Sequence, residues 1–403
     1  MRPFASTISL EEARRRLDAA VRPITRTERV RLEDAAGRVA ADDVMSAIDV
    51  PPFARSAMDG YVVLAADTAG ASRSTPVRLR LIDHIYTGQM SSITIEPGTC
   101  AEIATGAPLP AGADAVVMVE ETDTQGIEIE IFSAATAGQH VSRRGADIAA
   151  GDRAVAAGDL LSPSRVGAIA AIGHADARVF AKPRVAILST GNEVVEPGAT
   201  LATGQIFDVN RFTLGAIVSA HGGVAEPHRA AQDTVAALVD ALDACATADL
   251  IVFSGGSSVG ERDLVVDAIA ARGEMIFHGI AVRPGKPTAF AAVGDARTPF
   301  FGMPGNPTSC LSNAYILLVP FLRALARLPP HAPRTVRAPL GRHIASAVNR
   351  HQFYTVRLRD GVAFPAFKGS GDITSLSQAD GYIEIAADQS VVEEGTLVDV
   401  TLF

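Results

Sequence analysis

Between residues 184 and 327, apolar runs of strand length alternate with longer stretches of helical periodicity. Arg184-Val-Ala-Ile-Leu-Ser189 and Asp249-Leu-Ile-Val-Phe253 are nearly continuous apolar runs, the pattern of strands buried on both faces. Periodicity predicts helices over 209–220, stopped by Gly222-Gly223, and over 234–246, 263–271 and 308–327. Further strands are expected at 287–293 and 299–302. A parallel sheet covered by helices on both faces satisfies this alternation. In such sheets ligands bind at the carboxyl ends of the strands, so the loops after 189, 254 and 302 are where chemistry is expected.

The flanking regions have a different texture. Ser9 with Glu12 predicts a capping box opening a helix over 9–21. Asp49-Val-Pro-Pro-Phe53 is a break, because paired prolines suit neither a helix nor a sheet interior. From 60 to 135 short β-branched runs lie between Gly and Pro, and Ala115-Val-Val-Met-Val119 reads as a strand buried on both faces. Leu328-Pro-Pro-His-Ala-Pro333 reads as a linker, and 334–403 as a small β domain. At 403 residues the chain is expected to hold two to four domains.

Charge and cysteine usage exclude several function classes. Thirty-six Lys and Arg against 45 Asp and Glu give a net charge of −9, without a long basic run, which argues against a general nucleic-acid binder. Three cysteines without CxxC or HExxH spacing predict neither a disulfide framework nor a closed zinc site. No signal peptide is visible in the first residues, which carry Arg14-Arg15-Arg16. Apolar stretches such as 166–173 fall well short of the roughly 20 residues of a membrane span. The expectation is a soluble cytoplasmic protein with no membrane partner.

The sharpest local feature is Ser254-Gly-Gly-Ser-Ser258, directly after the run 249–253. Glycines there let backbone approach a ligand, and free amides with serine hydroxyls can hold an anion. An ordinary strand-to-helix turn is the competing reading, with even weight on spacing alone. Gly256-Ser-Ser258-Val-Gly260 is also a formal GxSxG match, which would make Ser258 an acyl-transfer nucleophile. Two residues separate the strand from Gly256, which is loose for that tight elbow. Glu193, in Thr190-Gly-Asn-Glu193, and Asp263 follow parallel strands and are candidate Mg²⁺ ligands, since Mg²⁺ takes one or two carboxylates plus substrate oxygens. Otherwise Asp263 is a helix-start residue and Glu193 a solvated charge. Arg283-Pro-Gly-Lys286-Pro sets two cations on a stiff loop suited to an anion. Gly302-Met-Pro-Gly-Asn-Pro307 is a second rigid turn, whose Asn306 and Thr308 are expected helix caps. Asp59, Thr105 and the two cations with a carboxylate in Arg143-Arg144-Gly-Ala-Asp147 are candidates in the first half.

Eight stretches together resemble the molybdopterin molybdenumtransferase family, whose eukaryotic relative is the C-terminal part of gephyrin. They include Ser56-Ala-Met-Asp-Gly-Tyr61, Thr105-Gly-Ala-Pro108, Arg143 to Asp147, Ser189-Thr-Gly-Asn-Glu193 and Gly204-Gln-Ile-Phe-Asp-Val-Asn210. Ser254 to Gly260, Pro284-Gly-Lys-Pro287 and Met303-Pro-Gly-Asn-Pro307 complete the series in the family's order. The resemblance implies an α/β plus β fold in an elongated, multidomain subunit that forms a homodimer. Its parts would be an N-terminal extended region 1–50 completed by 143–180, an inserted β-rich domain 51–142, an α/β molybdopterin-binding domain 181–329, and a C-terminal β-barrel-like domain 330–403.

The resemblance further implies insertion of molybdenum from molybdate into adenylylated molybdopterin, with release of AMP and assistance from Mg²⁺. The cleft would lie between the sheet domain of one subunit and the N-terminal region of its partner. By motif, Asp59, Asp147, Glu193 and Asp263 are expected catalytic residues, with Glu193 and Asp263 also holding the metal. Thr105, Gly255, Gly256, Ser257, Arg283, Lys286, Pro304, Pro307 and, from Lys368-Gly-Ser370, Ser370 are expected to bind substrate. The upstream adenylyltransferase is a possible protein partner. Departures from the family pattern fall at Gln232, Gly279 and Arg283, where some relatives carry an acidic residue, a basic residue and lysine. A serine hydrolase using Ser258 and a gephyrin-like scaffold are the alternative functions.

Overall fold

A computed structural model describes residues 7–228, 234–255 and 264–403. The chain divides into two compact units, Arg29–Val179 and Met1–Glu28 with Phe180–Phe403.

The unit Arg29–Val179 is built on a six-stranded sheet. Its strands are β1 (Gly60–Val63), β2 (Val77–Ile85), β3 (Thr99–Ile103), β4 (Ala115–Met118), β5 (Thr122–Gln125) and β6 (Glu128–Ile131). They lie in the order β4-β1-β3-β2-β6-β5. The pair β2 and β3 is parallel and the other pairs are antiparallel. Tyr61, Val63, Leu79, Val117 and Ile129 bury one face, and Val62, Ile85, Ile103 and Val116 the other. Burial on both faces removes the alternation a half-exposed strand would show, which is why 115–118 reads as an unbroken apolar run. The register slips by one between Leu81 and Asp83, so that His84 stands opposite Glu102 across β2 and β3. Flanking segments form a separate core of Ala35, Ala40, Val155, Leu161, Ile169 and Val179.

The second unit contains the alternating segment. Its sheet runs β8-β7-β9-β12-β11-β10. These strands are β7 (Arg184–Ser189), β8 (Val224–Pro227), β9 (Leu250–Ser254), β10 (Gly273–His278), β11 (Ala289–Val293) and β12 (Thr298–Met303). The strands β8, β7, β9 and β12 are parallel to one another. The expectation of a purely parallel sheet is corrected here, because β11 and β10 are antiparallel additions. A four-residue turn, with Gly294 and Arg297 at positive φ (68° and 52°), joins β11 to β12. So short a link can close only an antiparallel pair, since a parallel one needs a crossover.

Among the described residues five helices accompany this sheet: α1 (Leu10–Ala20), α2 (Asn210–Ala220), α3 (Val235–Ala244), α4 (Leu264–Arg272) and α5 (Pro307–Leu325). Val185, Ile187, Val252 and Phe301 bury one face of the sheet against α1, α2 and α5, through Leu17, Leu214 and Leu322 among others. Ala186, Leu188, Phe253 and Phe300 bury the other against Leu238 and Leu242 of α3 and Ile269 of α4. Ser9 caps α1 by accepting from the Glu12 N–H at 3.1 Å, but the reciprocal half of the capping box is missing. The Glu12 carboxylate instead binds Arg15 and Arg16. Helix α5 is long and apolar enough to cross a membrane, longer than the apolar runs suggest, yet 72% of it is buried inside the molecule.

The residues beyond 334 build most of a third six-stranded sheet, ordered Val282–Arg283, His351–Arg359, Gly381–Ile385, Leu397–Leu402, Thr335–Pro339, with Val362–Pro365 pairing off His351–Arg359. The segment Val282–Arg283 comes from the middle of the α/β region and lies parallel to His351–Arg359. This pairing fixes the loop that carries Arg283 and Lys286 to the C-terminal sheet.

Candidate active site

Three parallel strands end at one level. Ser189 of β7 is in register with Ser254 of β9, and Ser254 with Met303 of β12. Backbone pairing continues one residue further, with Thr190 donating to the Ser254 carbonyl (2.9 Å) and Gly255 to the Met303 carbonyl (3.2 Å). Gly255 has φ +98°, and a Cβ there would stand 2.4 Å from the Thr190 carbonyl oxygen, so only glycine fits. Gly305 packs directly against Gly255. At this edge the Ser189 and Thr190 hydroxyls and the Asn210 Oδ1 are buried without a hydrogen-bond partner among the described residues.

Several loops converge on the same edge. The Asn210 amide, at the start of α2, donates to Ser254 Oγ and to the Gly305 carbonyl, both at 2.7 Å. Asn306 Nδ2 donates to Ser370 Oγ at 3.0 Å, and the Thr308 N–H to the Ser370 carbonyl at 3.0 Å. The Thr308 hydroxyl donates to the Asp372 carbonyl at 2.7 Å. Asn306 and Thr308 therefore tie α5 to the C-terminal loop. Asn306 holds the cap position with no capping bond of its own, and its Nδ2 is turned to Ser370. Pro307 opens α5, where a missing N–H costs nothing, and Pro304 is buried.

Glu193 is exposed, and its carboxylate folds back over Gly191, where a Cβ would come within 2.7 Å of Oε2. Asp208 is a buried carboxylate close by, 3.7 Å from Arg211 Nε and accepting from the Arg211 backbone N–H at 3.1 Å. The loop 283–286 is pinned at Gly285, whose carbonyl accepts from Asn313 Nδ2 (2.8 Å) and Thr288 Oγ1 (2.9 Å). Arg283 at its head is exposed. Beneath the edge, burial pushes the Cys310 thiol up to about 12, so it is no thiolate nucleophile at neutral pH.

The unit Arg29–Val179 carries the other candidates. Asp59 lines a cleft of about 190 Å³ together with His84, Tyr86, Glu102 and Val119. The Thr105 N–H donates to Asp59 Oδ1 at 2.7 Å, and this bond, followed by one from the Thr105 hydroxyl, holds the Asp59 carboxyl below the usual range. His84 Nδ1 lies 2.7 Å from Glu102 Oε2 on the same cleft. Asp147 is exposed, with its N–H bound to the Val50 carbonyl. Of the cations in that stretch, Arg144 turns away from Asp147. Arg144 Nε instead donates to Asp49 Oδ2 at 2.6 Å, because Gly145 at φ +68° turns the chain against Asp49.

Comparison with known proteins decides the identity of this arrangement. Residues 8–173 match the profile described as the MoeA N-terminal region (domain I and II). Residues 186–324 match a probable molybdopterin binding domain, and 337–403 the MoeA C-terminal region (domain IV). Molybdopterin molybdenumtransferase 2 of Mycobacterium tuberculosis is 37% identical over 94% of this chain and 95% of its own. The molybdopterin molybdenumtransferase of Haemophilus influenzae is 30% identical over 98% of both. The chain belongs to the molybdopterin molybdenumtransferase family. A solved molybdopterin biosynthesis MoeA protein from Pyrococcus horikosii superimposes with a TM-score of 0.83, at 38% identity, covering 98% of this chain and 99% of that one.

Within this family member, the edge of the α/β sheet brings together Gly255, Pro304, Pro307 and Ser370, with Glu193 on the loop after β7. Asp59 and Thr105 are joined in the other unit, while Asp147 is not among the walls of their cleft. Asp263, Gly256, Ser257, Ser258 and Gln232 lie outside the described residues. Among the described residues no group of three or more His, Cys, Asp or Glu could hold a metal ion. The sequence reading assigned no role to Asp208, Asn210, His84 or Glu102. The first two belong to the 204–210 motif, a usable signal. The His84–Glu102 pair depends on a register slip that leaves no sequence mark.

Proposed function

We propose that the chain inserts molybdenum, supplied as molybdate, into adenylylated molybdopterin and releases AMP. The observation that carries this reading is full-length similarity to curated molybdopterin molybdenumtransferases, 37% identical over 94% of the chain. It is supported by a sheet edge of small residues, free of bulky side chains at Gly255 and Gly305, where a phosphate can approach backbone.

In this reading Gly255, Gly256 and Ser257 cradle a phosphate, and Arg283 and Lys286 set positive charge against it. Pro304 and Pro307 keep the opposing turn rigid, and Ser370 lines the C-terminal side. Asp59 and Asp147 act as the acidic groups of the N-terminal wall, with Thr105 holding Asp59 in place. Glu193 and Asp263 hold Mg²⁺. When bound, Mg²⁺ supplies charge that offsets the phosphate oxygens in the transition state. The protein's own task is to orient the anhydride and to exclude competing water.

The same reading gives an elongated homodimer, with the N-terminal wall of one copy serving the sheet domain of the other. Its domains are 1–50 completed by 143–180, an inserted 51–142, 181–329, and a barrel-like 330–403. It works in the cytoplasm, where the upstream adenylyltransferase delivers substrate. The test incubates purified protein with adenylylated molybdopterin, molybdate and Mg²⁺ and follows AMP. Release that requires molybdate supports the insertion reading. Absence of AMP under these conditions favours a scaffold, and release that S258A alone abolishes favours the hydrolase.

A further inference from the structure

We infer that Asn210 is a positioning residue, tying the loop that leaves β9 to the turn that leaves β12 and, through it, to the C-terminal loop. Its kinetic consequence rests on the insertion activity proposed above; the structural link does not.

Asn210 is 7% exposed, and its side chain reaches both the end of β9 and the turn after β12. Both hydrogens of Nδ2 are used, one on Ser254 Oγ and one on the Gly305 carbonyl. Each distance is 2.7 Å, at the short end for such bonds. Among the described residues, the two segments also meet through the Gly255 N–H on the Met303 carbonyl and through the close approach of Gly255 and Gly305. A Cβ on Gly305 would lie 3.4 Å from the Gly255 Cα, so no side chain of either residue locks them together. The next residue, Asn306, donates to Ser370 Oγ, and Thr308 donates twice into 370–372. A chain of hydrogen bonds therefore runs from the end of β9 through Asn210 and the Gly305 turn to the Ser370 loop.

The orientation of the amide is fixed by its donors. Oδ1 is buried and has no partner among the described residues, which disfavours the site unless the donor half matters. Serine or alanine at 210 would avoid the orphan acceptor but lose one or both donors. Aspartate has the same shape and no hydrogen to give, and its oxygen would face the Gly305 carbonyl. Asn210 thus acts on the reaction by aligning two backbone segments that substrate would touch, without needing to touch substrate itself.

The test uses N210D in the full-length chain, with two readouts. Hydrogen exchange at the Gly255 and Thr308 amides, both bonded across this junction, is expected to accelerate roughly tenfold or more. In the AMP-release assay kcat is expected to fall roughly tenfold while the KM for molybdate changes by less than about threefold, the pattern of lost alignment. Combined with S370A, the loss in kcat is expected to be less than the product of the two single losses, because the two side chains sit on one chain of hydrogen bonds. A folded N210D with unchanged exchange at both amides overturns the inference, whatever its activity. If the wild type releases no AMP, the insertion reading fails and the exchange arm still decides this one. Should N210D not fold, S254A removes the acceptor instead of the donor and is read in the same way.

Discussion

Thr105 donates its backbone N–H to Asp59 Oδ1 at 2.7 Å, joining two motifs 46 positions apart. The bond holds the Asp59 carboxyl below its ordinary range, so the group stays charged at all physiological pH. Asparagine preserves the shape and the bond from Thr105 but removes the charge. D59N is therefore expected to keep its melting temperature and lose roughly a hundredfold in kcat/KM for AMP release. Thermal melts with steady-state kinetics check this, and a D59N protein of normal activity removes Asp59 from the machinery.

Gly255 is required by geometry at φ +98°, with the Thr190 carbonyl where a Cβ would be. G255A is expected to cost about 1–3 kcal/mol, because backbone rather than a flexible side chain must move. Denaturant midpoints measure the loss, and activity should fall further than stability alone explains.

Asn313 is fully buried and holds the loop 283–286 through the Gly285 carbonyl. N313A is expected to destabilise by about 1–3 kcal/mol, since it removes a buried donor and leaves a cavity. Because the loop carries Arg283 and Lys286, the KM for the anionic substrates should rise in the same variant. A stability loss without a KM change would mean the loop is held adequately by Thr288 alone.

His221 gives a dependence on pH. Burial, then the nearby His331 and Arg323, push its pKa down to about 4. Its ring meets that of His331 edge-on at 4.9 Å, and its Nδ1 is buried without a partner. In the unfolded chain the group titrates near 6.5. Stability from keeping it neutral is complete above about pH 6.5 and is lost as pH falls toward 4, where the unfolded state binds the extra proton. Between pH 7 and pH 5 the loss is on the order of 1 kcal/mol, discounted for partial exposure. Melting curves across that range should show a shallower slope in H221N than in the wild type.

Much of this was legible in the residues. Buried parallel strands such as Arg184–Ser189 and Leu250–Ser254 announce themselves because burial on both faces removes polar alternation. Gly255 and Pro307 were legible because only particular backbones admit them. The antiparallel strand Gly273–His278 was not, because it lies half-exposed with a mixed pattern that no period identifies. Nor were the partners of Arg144 and Glu12 legible. Glu12 was assigned to the capping box and binds the arginines of the next turn instead, and Arg144, given no partner by the sequence, binds Asp49. The Arg144–Asp49 pair, 95 positions apart, depends on tertiary placement, which spacing does not encode. The His84–Glu102 pair is the clearest case, since one slipped residue in β2 decides which face His84 occupies.

The most direct test of the central claim is stoichiometry. Purified protein given adenylylated molybdopterin, Mg²⁺ and limiting molybdate is analysed for AMP by chromatography and for pterin-bound molybdenum by mass spectrometry. The account predicts one molybdenum incorporated for each AMP released, with both ceasing when molybdate is exhausted. AMP that continues to appear without molybdate, or pterin that stays free of the metal while AMP accumulates, would contradict it.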